Sequence, residues 1–226
     1  MSEQTLAIEG STYAGSVALL RDDEIIAERT LADTGIPSRG GREERVLPSV
    51  AECLDEAGIA VGQLSRVVCG AGPGSFTSLR ISASVAKGIA VGVGCPLYSV
   101  SSLLLSVASA PDSTDGFFLS VLPAMRNEWF ALLAEVGRGI VAARGDAFIV
   151  TEATLAETAR RHEARLLGPG QEVNALPHAR GVVTLLDQIV AAGPVVIETW
   201  EPDYGRLAEA QVRWEAAHGR PLGAGA

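Results

Sequence analysis

Lysine is all but missing from this sequence: Lys87 is the single one, and the arginines are scattered instead of gathered into a basic stripe. The formal net charge is −9. Affinity for nucleic acid rests on neutralising phosphates with Lys and Arg, so the chain by itself is expected to bind nucleic acid weakly or not at all. Histidine is absent before His162, and His162, His178 and His218 form neither H-E-x-x-H nor another ligand pattern. Surface or structural roles are expected for them, and no tightly held metal. Cys53, Cys69 and Cys95 contain no C-x-x-C pair and leave one over, which excludes a disulfide framework or a zinc knuckle and points to buried thiols.

Long apolar runs are also lacking. The longest, Ile89 to Tyr98, is broken by Gly92, Gly94 and Pro96, well short of the ~20 residues that span a bilayer. The N-terminus carries Glu3 where a secretory leader would be basic, and soon alternates like a strand. A cytoplasmic protein with no membrane contact is expected. Standard phosphate motifs are missing as well. A G-x-G-x-x-G starting at Gly70 would need glycine at Ser75, and no Gly-Lys-Ser or Gly-Lys-Thr follows. Carboxylate runs such as Asp22-Asp23-Glu24, Glu43-Glu44 and Asp55-Glu56 read as solvated turns and helix faces, so none is assigned as acid or base.

What is present is enough apolar material for a core: 226 residues, 47% hydrophobic and 20% charged. That length suits two small domains sharing an interface. Thr5 to Ile8, Ser16 to Leu20 and Glu24 to Thr30 read as a strand meander. After a loop carrying Gly35, Pro37, Gly40 and Gly41, the spacing of Val46, Val50, Leu54 and Ala57 predicts a helix stopped at Gly58. Val67 to Cys69 is a strand, Ser75 to about Val93 a helix, and Leu97 to Val100 a strand. Helical crossovers after an antiparallel meander demand a mixed sheet, the element order of a ribonuclease-H-like layer.

The second half repeats that order without repeating residues. Phe117 to Leu122, Trp129 to Glu135 and Ile140 to Ala143 are strands, Glu152 to His162 a helix capped at Thr151, Arg165 to Leu167 a strand, Val182 to Ala191 a helix and Val195 to Ile197 a strand. A last helix is expected over Arg206 to Ala217. The division expected is 1–100 for a first lobe, 101–220 for a smaller second lobe and 221–226 for a frayed tail.

Val67 to Ala90 reads VVCGAGPGSFTSLRISASVAKGIA. Gly70, Gly72 and Gly74 allow close backbone approach, Pro73 stiffens the turn, and Ser75 or Thr77 can cap the helix. A helix start of this kind can attract an anion, or be a connection that binds nothing. Within the helix, Gly88 and Gly92 each cost about 1 kcal/mol against alanine. Close helix packing is the expected compensation, and spacing leaves open whether the partner helix belongs to this chain or another. Ser11 and Thr12 follow the first strand where actin-like kinases begin a phosphate loop, with Glu9 beside them. Turn formation is the plainer reading of both.

GPGSFTSLRISASVAKGIA resembles the signature of the TsaB family, whose usual form is close to GPGSFTGLRIGLATAKGLA. LAIEGSTYAGSVALL, RVLPSVAECLDEAG and EPDYGRLAEA support the likeness, which is strong over the first 100 residues or so. The resemblance implies an α/β, actin-like (ASKHA) fold of two ribonuclease-H-like lobes with mixed sheets. It also implies a non-catalytic subunit, dimeric when alone, that pairs through its first two helices with a TsaD-like catalytic subunit. A TsaE-like ATPase joins them in adding threonylcarbamoyl to an adenosine beside the tRNA anticodon. Such a subunit meets tRNA only through the complex and holds no tight cofactor, with adenine nucleotide a candidate at the partner interface. On this sequence the implied interface is Val46, Val50 and Leu54 with Phe76, Leu79, Arg80, Ala83, Ala86, Lys87 and Ala90. Glu9, Ser11 and Thr12 are the candidates for a nucleotide cleft.

The sequence also departs from the pattern. Glu9 stands for the usual aspartate, Ser78 for a glycine, and Pro123 to Ala131 replaces DARRGEVYAA without its aspartate and first arginine. A stand-alone actin-like nucleotide-binding enzyme and a glycoprotease-like peptidase are the competing readings. The missing phosphate motifs weigh against the first, and the missing histidines against the second.

Overall fold

The computed structural model describes residues 2–31, 45–111 and 114–205. The loop around Gly35 to Gly41, the Glu43-Glu44 pair, the helix expected over Arg206 to Ala217, His218 and the 221–226 tail lie outside the described residues. The first sheet holds β1 (Gln4–Glu9), β2 (Ser16–Arg21), β3 (Glu24–Thr30), β4 (Arg66–Gly70) and β5 (Leu97–Val100), in the order β3-β2-β1-β4-β5. β1 pairs antiparallel with β2 and parallel with β4, as a meander followed by helical crossovers requires.

All six residues of β1 are buried because both faces of this sheet are covered. Leu6, Ile8, Val17, Leu19, Val67 and Cys69 face α1 (Val46–Ala57) and α2 (Phe76–Val93). The intervening Ala7, Ala18, Leu20 and Val68 face the other side. This period-2 alternation gives strands that read as continuous apolar runs. α1 stops where the sequence places a glycine: Gly58 is left-handed at φ 64, and Ile59 N donates to Leu54 O at 3.0 Å.

The second sheet repeats the order as β8-β7-β6-β10-β11, with β6 (Gly116–Pro123), β7 (Glu128–Gly137), β8 (Ile140–Ala143), β10 (Ala164–Gly168) and β11 (Val173–Asn174). Its third position is split. β8 pairs with Ala134 to Gly137 of β7, while β9 (Phe148–Thr151) pairs with Glu128 to Ala131. α4 (Glu152–Arg161) covers the outer face on Leu119, Val121 and Ala131. Between the two sheets lie α3 (Ser102–Ser109) and α5 (Val182–Ala192), whose Leu105, Val107 and Leu185 join Ala7 and Val68 of one sheet to Phe118 and Ala134 of the other.

Several expectations change, among them the unforeseen last strand of the second sheet, β11. α3 has no counterpart in the sequence reading, because at eight residues SLLLSVAS is too short for a helical period to stand out, and its serine side is not exposed. β9 is likewise unforeseen. Val195 to Ile197 is not a strand: Val195 N donates once to Leu97 O at 2.8 Å, and the chain then turns, with Thr199 N and Trp200 N both donating to Val196 O. Beyond α5 the chain returns to the first lobe, where Val195, Ile197 and Trp200 pack on the core under α1 and α2. No helix among the described residues is long and apolar enough to cross a membrane.

Candidate functional site: the end of β1 and the outer face of α2

Parallel pairing of β1 with β4 sets Ile8 beside Cys69, so the next residues, Glu9 and Gly70, meet at the carboxyl ends of both strands. Glu9 is fully buried, which costs a charged carboxyl dearly unless both oxygens are bonded. Both are. Ser11 N donates to Oε1 at 2.5 Å, and Ser102 Oγ, at the start of α3, donates to Oε2 at 2.8 Å while accepting from Gly72 N at 3.0 Å. Burial pushes the Glu9 carboxyl above its ordinary value, against the opposing pull of the Ser11 and Ser102 bonds.

The glycine-rich turn is shaped by what it touches. A Cβ on Gly70 would stand 1.9 Å from Glu9 Oε2, and one on Gly74 would stand 2.3 Å from Ser11 O. Gly72 has φ +90, and a Cβ there would meet Asp203 O at 2.2 Å. Hydrogen bonds tie the same turn on three sides. Ser75 N donates to Ser11 O, Ala71 N to Val100 O, and Asp203 N to Ala71 O, each at 2.7 Å. Ser75 occupies the N-cap of α2 without a side-chain cap bond, its Oγ accepting instead from Ser78 Oγ at 3.0 Å.

Of the three cleft candidates, the structure joins Glu9 and Ser11 in one hydrogen bond and leaves Thr12 outside that network, its buried hydroxyl having no hydrogen-bond partner among the described residues. The altered segment Pro123 to Phe130 forms the β6–β7 hairpin. Met125, Arg126 and Asn127 run through its turn with φ of 67, 54 and 59. Among the described residues no group of three or more His, Cys, Asp and Glu is placed to hold a metal ion. His178 instead joins the lobes. Its Nδ1 accepts from Arg180 N at 3.1 Å, and its Nε2 lies 3.3 Å from Thr30 Oγ1 of β3. Burial first, then the Arg180 charge, lowers its pKa to about 4.

The expected interface residues divide in two. Val46, Val50, Leu54, Leu79, Ala83, Ala86 and Ala90 are buried inside this chain. The apolar stripe of an amphipathic helix sits on its own sheet first, and Ala83 also lines a cavity on the outer side of α2. Phe76, 39% exposed, Arg80 and the half-buried Lys87 remain on the outward side of α2, with Ser84, Gly88 and Val91. A Cβ on Gly88 or Gly92 would meet nothing within 4 Å. The segment after α5 lies across this face, placing Tyr204 against Phe76 with ring centroids 4.6 Å apart and Trp200 under Lys87 Nζ at 5.6 Å. Sequence reasoning missed Trp200 and Tyr204 as site residues, although two aromatics in a short polar stretch holding Pro202 were the available signal.

A family model described as "TsaD: tRNA N6-adenosine threonylcarbamoyltransferase" matches residues 25–178, more than half of the chain. A Bacillus subtilis protein named "tRNA threonylcarbamoyladenosine biosynthesis protein TsaB" is 32% identical over 60% of this chain and 57% of its own length. The Escherichia coli protein of the same name is 34% identical over 46% of this chain and 43% of its own length. The matched region thus spans about half the length of these curated relatives. Among solved structures, "YeaZ from Pseudomonas aeruginosa" aligns with a TM-score of 0.71 at 26% identity, over 89% of this chain and 99% of that one. The two mixed sheets are those of an actin-like, two-lobed α/β fold, and the chain belongs to the TsaB/YeaZ family.

Proposed function

We propose that this chain is a cytoplasmic subunit of the machinery that forms threonylcarbamoyladenosine in tRNA, and that it binds and activates a TsaD-type catalytic subunit instead of carrying out the transfer. The involvement in this modification is taken from the relatives' printed names. The observation that carries the non-catalytic reading is the closed end of β1. Glu9 is spent on Ser11 and Ser102, and the glycine turn is packed against Ser11 and Asp203. A group whose partners are all internal holds a fold together and has nothing left to offer a substrate.

What the chain does offer outward is α2. A partner that binds this face more strongly in its competent state shifts its own population toward that state, without any contact from this chain to reacting atoms. Co-purification with a TsaD-type protein tests the proposal. A stable complex is expected, together with no threonylcarbamoyl transfer by this chain alone. Transfer by the isolated chain, or failure of the two proteins to associate, overturns it.

A further inference from the structure

Between α2 and the segment that crosses it lies a cavity of about 390 Å³, lined by Arg80, Ser84 and Lys87 on the helix and by Trp200, Glu201 and Tyr204 on the crossing segment. Arg80 and Lys87 stand seven residues apart, so two helical turns place them on one face. In a chain of net charge −9 both would be expected to find carboxylates. Neither makes a salt bridge to a described residue. They rest on aromatic rings instead, Arg80 over Phe76 at 4.6 Å and Lys87 over Trp200 at 5.6 Å. The rings hold the cations in place, and neither forms an ion pair with a described carboxylate, Glu201 on the opposite wall of the cavity included.

We propose that this cavity receives a carboxylate side chain from a protein partner lying along α2, so that Arg80 and Lys87 select an acid-bearing surface. The inference rests on the partner reading above. Three physical points fix the occupant. A small ligand is held by a site that buries most of its surface, whereas this cavity opens onto a helix face where Gly88 and Gly92 leave space for another backbone. A nucleic acid would meet the long-range repulsion of an acidic chain with one lysine. A second copy, paired about a two-fold axis through this face, would set Arg80 and Lys87 against Arg80 and Lys87, with Glu201 alone to offset them.

The test measures binding of the TsaD-type partner to the full chain, to Arg80→Gln/Lys87→Gln, and to Gly88→Trp, which blocks the helix face without altering charge. Thermal melts of each variant confirm folding. The wild type is expected to lose affinity as salt rises. The double variant is expected to bind about tenfold or more weakly and to lose most of that salt dependence. Double-variant binding as tight and as salt-sensitive as wild type, with Gly88→Trp impaired, overturns the cavity assignment and leaves the partner reading standing. No binding by the wild type overturns both. Submicromolar binding of inorganic phosphate or of a nucleotide to the isolated chain, lost in the double variant, reassigns the cavity to a small anion and overturns the proposal.

Discussion

Glu9 binds its proton more tightly in the folded chain than in the unfolded one, because burial raises its pKa above the ordinary 4.5. The stability it contributes is therefore complete below about pH 4.5 and lost as pH rises through its folded value. Urea unfolding of wild type and Glu9→Gln across that range should show the wild type losing ground to the variant as pH rises. A constant difference would mean that the carboxyl titrates alike in both states. His178 has the opposite sign. Its folded pKa of about 4 lies below the ordinary 6.5, so the stability tied to its neutral ring is complete above pH 6.5 and lost as pH falls toward 4. Nuclear magnetic resonance should find it neutral at pH 6, with the proton on Nε2, since Nδ1 accepts from Arg180 N. Glu9→Ala removes the acceptor for Ser11 N and the partner of Ser102 Oγ together, and should cost about 2–4 kcal/mol by denaturant titration.

At the scale of elements, two sets of glycines separate by what surrounds them. Gly70, Gly72 and Gly74 sit where any Cβ would overlap a neighbouring atom, so Gly74→Ala should destabilise the chain by about 2 kcal/mol or more. Gly88 and Gly92 face open space on α2. Gly88→Ala should stabilise the isolated chain by about 0.5–1 kcal/mol, the ordinary helix-propensity gain, and a melt that fell would show that the face is already packed. This contrast shows what periodicity conveys. The spacing of Val46, Val50 and Leu54 predicts a helix and its buried side, but a buried side facing the chain's own sheet looks the same in sequence as one facing a partner. α3 stayed hidden because it is only eight residues long and, sandwiched between two sheets, has no exposed charged side to mark it. The tie between Glu9 and Ser102 stayed hidden because they are 93 residues apart, and only the fold brings α3 to the end of β1. Gly58 and the β7–β8 turn at Gly137-Arg138-Gly139 were legible because their chemistry is local.

For the whole molecule, two layers of like topology share one core through α3 and α5, and the outer side of α2 brings two cations, Arg80 and Lys87, to one cavity. With a net charge of −9 the isolated chain should give no tRNA gel shift at submicromolar concentration even at low salt. The most direct measurement is a reconstitution of threonylcarbamoyl transfer to tRNA from purified components, run with and without this chain, a TsaD-type subunit being present in both. Transfer should depend on the chain, and should survive Glu9→Gln, since both oxygens of that carboxyl are hydrogen-bonded within this chain, to Ser11 and Ser102. Equal transfer in its absence, or transfer abolished by a well-folded Glu9→Gln, would contradict a non-catalytic activating subunit.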